Sequence, residues 1–303
     1  MRGAALTPTE DSRRKGSEMS DAQISTGRQA DAGAFSKWWM HALLSAVVIA
    51  MLVAVSPATI LAAECPLKQP EPRIPPATGP VIDIDRAVIN IDKLKSQLLE
   101  YKEGKDGKPG NYEEDVKRVF DQATIYVKQR VDEAKQSSDQ GKFAVVLDID
   151  ETSLSNWPNL KANNFGFIKG GTCFEQPTLA CGFDDWILKS SAPAIPPSLE
   201  FFKTVVATKN VAVFFITGRR ESQRQATLWN LDSAGFEGWA ALYTRPDDDH
   251  KDTIVPFKRG MREKVVQNGY KIIANIGDQL SDLDDGRFAE CTFKVPNPFY
   301  FIP

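Results

Sequence analysis

Beyond Lys142 the chain alternates short, wholly apolar runs with amphipathic stretches, and few folds accept that pattern. The apolar runs span residues 143–147, 211–216, 240–243 and 272–276, and between them residues 197–208, 221–234 and 257–268 carry helical spacing. A strand that is apolar at every position rather than at every second one is covered on both faces, so the pattern predicts a parallel sheet between two layers of helices. Gly235 and Gly269 fall just past two of the helical stretches, where a left-handed cap is favoured. Further back, residues 82–101 and 112–134 show helical spacing (Val116, Val119, Phe120, Ala123, Val127, Val131), and a glycine-rich loop, 103–110, joins them as two antiparallel helices. Their apolar faces read as core.

Three of the apolar runs stop at conspicuously polar residues. VVLDIDET ends on Asp148, Asp150 and Thr152, FFITGR on Thr217, Gly218 and Arg219, and NIGDQLSDL on Asp278 and Asp282. In an open parallel sheet the carboxyl ends of neighbouring strands meet at one crevice, so these groups are expected to converge. Gathered carboxylates repel one another unless a cation sits among them, and an all-oxygen set without imidazole suits Mg²⁺ better than Zn²⁺. A carboxylate at a strand terminus can attack phosphorus to form an aspartyl-phosphate once the repulsion between the two anions is screened. Asp148 stands at that terminus. Asp150, two positions on, reaches the other side of the phosphoryl group as acid and base if the chain loops out after Asp148.

Composition removes the competing chemistries. Two histidines, His41 and His250, are too few for the histidine and His-rich metal phosphatases. None of the four cysteines has an arginine six positions on, as a thiolate phosphatase requires; those positions hold Glu71, Leu179, Ile187 and Asn297. A formal charge of -3 gives no basic surplus for a nucleic-acid polymer. Neither a G-x-G-x-x-G nor a G-x-x-x-x-G-K-[ST] run is present. A content of 42% hydrophobic and 25% charged residues excludes disordered, collagenous and multi-span membrane chains.

DIDET, an apolar strand ending in TGR, a lysine in PFKRGMREKV and NIGDQLSDL, in that order, resemble the haloacid dehalogenase (HAD) superfamily and, within it, the subfamily IIIB acid phosphatases, among them plant vegetative storage proteins and secreted bacterial enzymes. The match is strong over 142–286. The resemblance implies a HAD-like Rossmannoid three-layer α/β fold with a small cap insert after the first motif. It also implies an acid phosphatase acting on small-molecule phosphomonoesters with Mg²⁺. Asp148 would be nucleophile and metal ligand, Asp150 acid/base and, through its main-chain carbonyl, metal ligand. Thr217 and Lys258 would hold the phosphoryl group, Asp278 would complete the metal site, and Asp282 would support it through the metal's water shell. Lys264 lies on the same predicted helix; Phe257, immediately before Lys258, favours the latter. Arg219 stays open between a phosphate contact and a structural ion pair, and the run Asp247, Asp248, Asp249, His250 reads as a solvated acidic loop.

The remaining segments set location and domain limits. From Trp38 to Ala63 no residue carries a formal charge; Arg28 and Lys37 precede an apolar core, and small residues lead to Ala63. This is the layout of a secretory signal cleaved after Ala63, or else of an uncleaved membrane anchor. Translation starts at Met1 or Met19. LAAEC (61–65) also resembles a lipoprotein box, with Glu64 where a small residue belongs. Both leader readings export the chain to the periplasm or beyond, where the even set Cys65, Cys173, Cys181 and Cys291 forms disulfides, Cys173 with Cys181 being the expected pair. The domain limits follow: 1–63 extension and signal, 64–80 proline-rich linker, 81–303 folded domain with helices over 81–140, core over 142–303 and insert near 156–196. That insert carries Trp157, Phe165, Phe167, Phe174, Phe183 and Trp186, suited either to stacking on a nucleobase or aryl phosphate or to packing around the Cys173–Cys181 bridge. The oligomeric state is left open. Transfer of the phosphoryl group to an alcohol, and a storage or binding protein on the same fold, are the alternative functions.

Overall fold

A computed structural model describes residues 64–65, 71–75, 82–83, 88–137, 139, 141–172 and 181–302. Its elements run β1 (Ile82–Asp83), β2 (Val88–Ile89), α1 (Ile91–Glu103), α2 (Tyr112–Gln136), β3 (Lys142–Leu147), α3 (Trp157–Ala162), α4 (Phe183–Leu188), α5 (Pro196–Val206), β4 (Val211–Arg220), α6 (Arg224–Ser233), β5 (Ala241–Arg245), α7 (Val255–Gln267), β6 (Tyr270–Gly277), α8 (Leu280–Leu283) and β7 (Ala289–Lys294). The main sheet is parallel throughout, in the order β5-β4-β3-β6-β7.

Both faces of that sheet are covered, as the unbroken apolar runs require. On β3 the side chains of Phe143, Val145 and Leu147 join one core cluster with Val119, Phe120, Phe201 and Phe202 of α2 and α5. Ala144 and Val146, pointing the other way, join a second cluster with Phe257 and Val265 of α7. All five β3 residues are at most 2% exposed, so the strand has no solvent face on which a polar residue would be tolerated. The three-layer α/β arrangement expected from the sequence is therefore the observed one.

Two boundaries differ from expectation. The helix predicted from residue 82 starts only at Ile91, because Asn90 is extended and its side chain accepts a hydrogen bond from Lys93 N at 3.1 Å, an N-cap. The residues before it pair as the β1–β2 ribbon. The edge strand β7 was not anticipated at all. Its sequence AECTFK alternates half-buried and buried positions, the mark of an edge strand rather than of the continuous apolar run that betrays an inner one.

The segment 38–63, the expected signal or anchor, lies outside the described residues, as does most of the 66–80 linker. Among the described residues no helix is long and apolar enough to cross a membrane. Residues 71–75 lie against α2: Arg73 donates from its backbone N (2.6 Å) and Nε (2.5 Å) to the fully buried Asp115. Cys65 is bonded to Cys291 of β7, 226 residues away, with Cα atoms 5.5 Å apart. This bond was not foreseen, and it occupies the Cys65 sulfur that a lipoprotein thioether would use. Cys181 is itself disulfide-bonded, whereas Cys173, its expected partner, lies outside the described residues.

Candidate active site

The strand order makes the site. From β3 the chain builds outward through β4 and β5, then returns to the far side of β3 with β6, so a crevice opens at the carboxyl ends of β3 and β6. Asp148 follows β3 directly and Asp278 follows β6. Asp148 N donates to Ile276 O at 3.0 Å, which carries the ladder one residue past β3. The chain then turns out as expected: Thr152 N, Ser153 N and Leu154 N all converge on Ile149 O, and Ser153 Oγ ties back to Asp148 O at 2.7 Å. Glu151 occupies the left-handed region (φ 56°) at the centre of this turn, a conformation unusual for a residue with a side chain and held only by its surroundings.

Asp148, Asp278 and Asp282 bring carboxylate oxygens within 4.8 Å of one another, all buried. Lys258, from α7, enters the cluster and donates from Nζ to Asp148 Oδ1 at 2.6 Å and to Asp282 Oδ1. Asp282 is closer to Asp148 than the expected outer position implied, sharing the lysine with it. Gln279 N donates to its other oxygen at 2.8 Å, and Gly277 makes room for it: a Cβ there would stand 2.7 Å from Asp282 Cγ.

Three carboxylates against one ammonium leave a surplus of negative charge in a water-poor site. The electrostatics carry its imprint. Burial, reinforced by Asp282, Asp278 and Asp150, pushes Asp148 well above the usual carboxylate range despite Lys258. Burial and Asp282 push Asp278 up to about 6. Burial acts against the Lys258 charge, but Asp148 and Asp282 outweigh it and hold that ammonium above its ordinary value. Such a cluster fits a divalent cation, which would remove the surplus, and its donors are all oxygens. Asp278 is oriented by Gln279 Nε2 (2.6 Å) and Asn297 Nδ2 (2.7 Å) on Oδ2 and by Thr152 Oγ1 (3.2 Å) on Oδ1.

The Asp150 side chain lines the same cleft but stands outside that cluster. Arg219, whose side chain is fully buried, grips it from Nη2 (2.8 Å) and Nε (3.1 Å), and Asn156 Nδ2 adds a bond at 2.9 Å. Burial would raise this carboxyl, yet Arg219 and Asn156 hold it below the usual range. Arg219 thus makes an ion pair with Asp150 and also lines the cleft. Thr217 is fully buried within β4, three residues before its end, and its Oγ1 accepts from Arg219 N at 3.2 Å. Lys264, the other lysine of α7, lies over the Tyr243 ring at 5.4 Å and outside the cluster. In the acidic loop, Asp247 accepts from Ser222 and Asp249 pairs with Arg245, as a surface loop would.

A cleft of about 460 Å³ opens over these groups, bounded on the insert side by Phe165, Phe167 and Phe183 and on the other by Tyr300, Phe301 and Ile302. Phe167 is 78% exposed and 6.2 Å from the Phe183 ring. Trp157 instead packs on Phe165 and Phe299, and Trp186 is buried; Phe174 lies outside the described residues. Glu151, Asn156, Gln279, Asn297 and Tyr300 were not singled out from sequence, although Glu151 and Asn156 sit within the first motif's own turn.

A family model described as HAD superfamily, subfamily IIIB (Acid phosphatase), matches residues 86–303. The chain belongs to this family. It is an acid phosphatase, a phosphoric monoester hydrolase. Among its relatives, "Acid phosphatase 1" of Solanum lycopersicum is 37% identical over 194 residues, 64% of this chain and 70% of that one. "Vegetative storage protein 2" of Arabidopsis thaliana is 26% identical, over 75% of this chain and 77% of the relative. Among solved structures, the class C acid phosphatase from Bacillus anthracis aligns with a TM-score of 0.49 at 23% identity, over 70% of this chain and 87% of the other.

Proposed function

We propose that this acid phosphatase is exported, uses Mg²⁺, and hydrolyses phosphomonoesters through a phospho-aspartate on Asp148. The observation that carries the reading is the buried cluster of Asp148, Asp278, Asp282 and Lys258 at the strand ends, opening into the cleft. Asp148 and Asp278, with the Asp150 carbonyl, would hold the metal, which supplies charge screening for the attack of one anion on another. Lys258 bridges Asp148 and Asp282 at the edge of the cleft.

With Lys258 on Oδ1, the other oxygen of Asp148 attacks phosphorus and the bond to the ester oxygen breaks. Against burial, Arg219 and Asn156 favour the Asp150 anion, so it is the protonated form, populated at acid pH, that gives its proton to the departing alkoxide. Asp150 then takes a proton from the water whose oxygen attacks phosphorus and frees Asp148. Thr217 and Lys258 hold phosphoryl oxygens during both displacements. The aromatic walls of the cleft favour nucleoside monophosphates or aryl phosphates over small polyol phosphates. Export rests on the uncharged 38–63 segment and on the Cys65–Cys291 bond, which persists only in an oxidising compartment.

Asp148→Asn tests the scheme: turnover of p-nitrophenyl phosphate should vanish while the far-ultraviolet circular dichroism is unchanged. EDTA should abolish activity and added Mg²⁺ restore it. Retained turnover in either experiment removes the corresponding part. Product analysis in the presence of an added alcohol separates hydrolysis from phosphoryl transfer. The relatives named as storage proteins raise the reading of a fold with little catalysis; the presence of Asp148, Asp150 and Asp278 together argues against it.

A further inference from the structure

We propose that Asn156 is a positioning residue for Asp150, and that its orientation is set from the insert by Trp186. An amide side chain can face its neighbours in two ways, and only one of them presents a donor to a carboxylate. Trp186, on α4, donates from Nε1 to Asn156 Oδ1 at 2.8 Å. Indole N–H is a donor only, so the oxygen end of the amide must face it. The Nδ2 end is thereby turned towards the acids, giving 2.9 Å to Asp150 Oδ1 and 3.0 Å to Glu151 Oε2. With the amide reversed, its oxygen would face two carboxylates and its NH₂ an N–H, so the reversed state is excluded twice over.

The turn is fixed from a second side. Glu151 accepts from Asn156 N at 2.5 Å and from Tyr300 Oη at 2.7 Å. Asn156 and Trp186 are 0% and 7% exposed, so water cannot replace these bonds without opening the packing. Arg219 holds Asp150 from the opposite side. The acid is thus suspended between a guanidinium and an amide, and the amide's direction is set by the same insert that walls the cleft. Displacement of a proton-transferring group by about 1 Å is enough to cost two orders of magnitude. Neither Asn156 nor Trp186 is among the residues that line the cleft.

The inference rests on Asp150 as the general acid, so the test measures acid catalysis itself. In the full exported chain, kcat/KM is determined for a series of phosphomonoesters whose leaving groups run from p-nitrophenol to simple alcohols. Proton donation matters little to a good leaving group and greatly to a basic one. Asn156→Ala should lower kcat/KM by less than about 5-fold on p-nitrophenyl phosphate and by about 100-fold on an alkyl phosphate. Trp186→Phe, which keeps a smaller buried aromatic ring and drops the N–H, should shift the same slope by about 10-fold. Asp150→Asn provides the reference slope. A steep reference with equal losses on all esters in both other variants overturns the relay alone. A reference with no leaving-group dependence overturns the acid assignment and the relay with it. If Asn156→Ala does not fold, Trp186→Phe decides the question, and an unchanged slope there counts against the relay.

Discussion

Lys258 Nζ stands 2.6 Å from Asp148 Oδ1 and also binds Asp282, so one ammonium from α7 joins the carboxylates that follow β3 and β6. Lys258 is 5% exposed, and removing it leaves buried acids without their counter-charge. Lys258→Met should therefore cost about 3 kcal/mol of stability in the metal-free protein, by the usual penalty for breaking a buried pair. Mg²⁺ should restore part of that loss. Thermal unfolding with and without the ion, alongside phosphatase assays in which kcat/KM falls at least about 100-fold, checks both statements. A variant as stable as the parent without metal would show that the charges are not coupled.

Gly277 ends β6 directly against Asp282. Because Asp282 is anchored by Lys258 and by Gln279 N, it has little freedom to retreat from an added methyl group. Gly277→Ala should destabilise the fold by about 2 kcal/mol through overpacking. It should also weaken Mg²⁺ binding at least 10-fold, measured by isothermal titration. Unaltered affinity would mean that Asp282 has no part in holding the site.

Asp115, wholly buried, accepts bonds from Arg73, Tyr101 Oη (3.0 Å) and Arg118. Burial opposes its charge, but the bonds from Arg73, Tyr101 and Arg118 outweigh it and hold the carboxyl below the usual range. Its folded pKa lies below its unfolded one, so the stabilisation is complete above the unfolded value, about 3.9, and fades as pH falls through the folded value. Asp115→Asn should cost about 2 kcal/mol at pH 7 and less at about pH 3. Urea unfolding at the two pH values decides it; a loss equal at both would assign the effect to packing.

Cys65 and Cys291 close a loop of most of the folded chain. Replacing both by serine should lower stability by about 4 kcal/mol, read as a lower urea midpoint with the cleft chemistry intact. The same midpoint in reduced and oxidised protein would contradict this.

The fold was readable where a residue's neighbours along the chain share its environment. Val145 and its neighbours on β3 are covered on both faces, so an unbroken apolar run betrayed the inner strands. β7 has a half-exposed face, and its Glu290 and Thr292 hid it. The acids at strand ends were readable because backbone direction alone brings Asp148 and Asp278 together. What escaped is whatever depends on side chains from remote segments. Nothing near Tyr300 announces Glu151, and nothing near Trp186 announces the Asn156 amide. The pairing of Asp150 with Arg219 was open for the same reason: Asp150 follows β3 and Arg219 sits near the end of β4, and only coordinates show which acid the guanidinium faces.

The most direct test of the account traps the covalent intermediate. The enzyme, turning over a phosphomonoester with Mg²⁺, is quenched in acid within milliseconds and digested, and the peptides are analysed by mass spectrometry. One phosphoryl group, labile to hydroxylamine, should appear on the peptide that contains Asp148 and be missing in Asp148→Asn. A phosphoryl group on any other residue, or full turnover with none on Asp148, would contradict the mechanism.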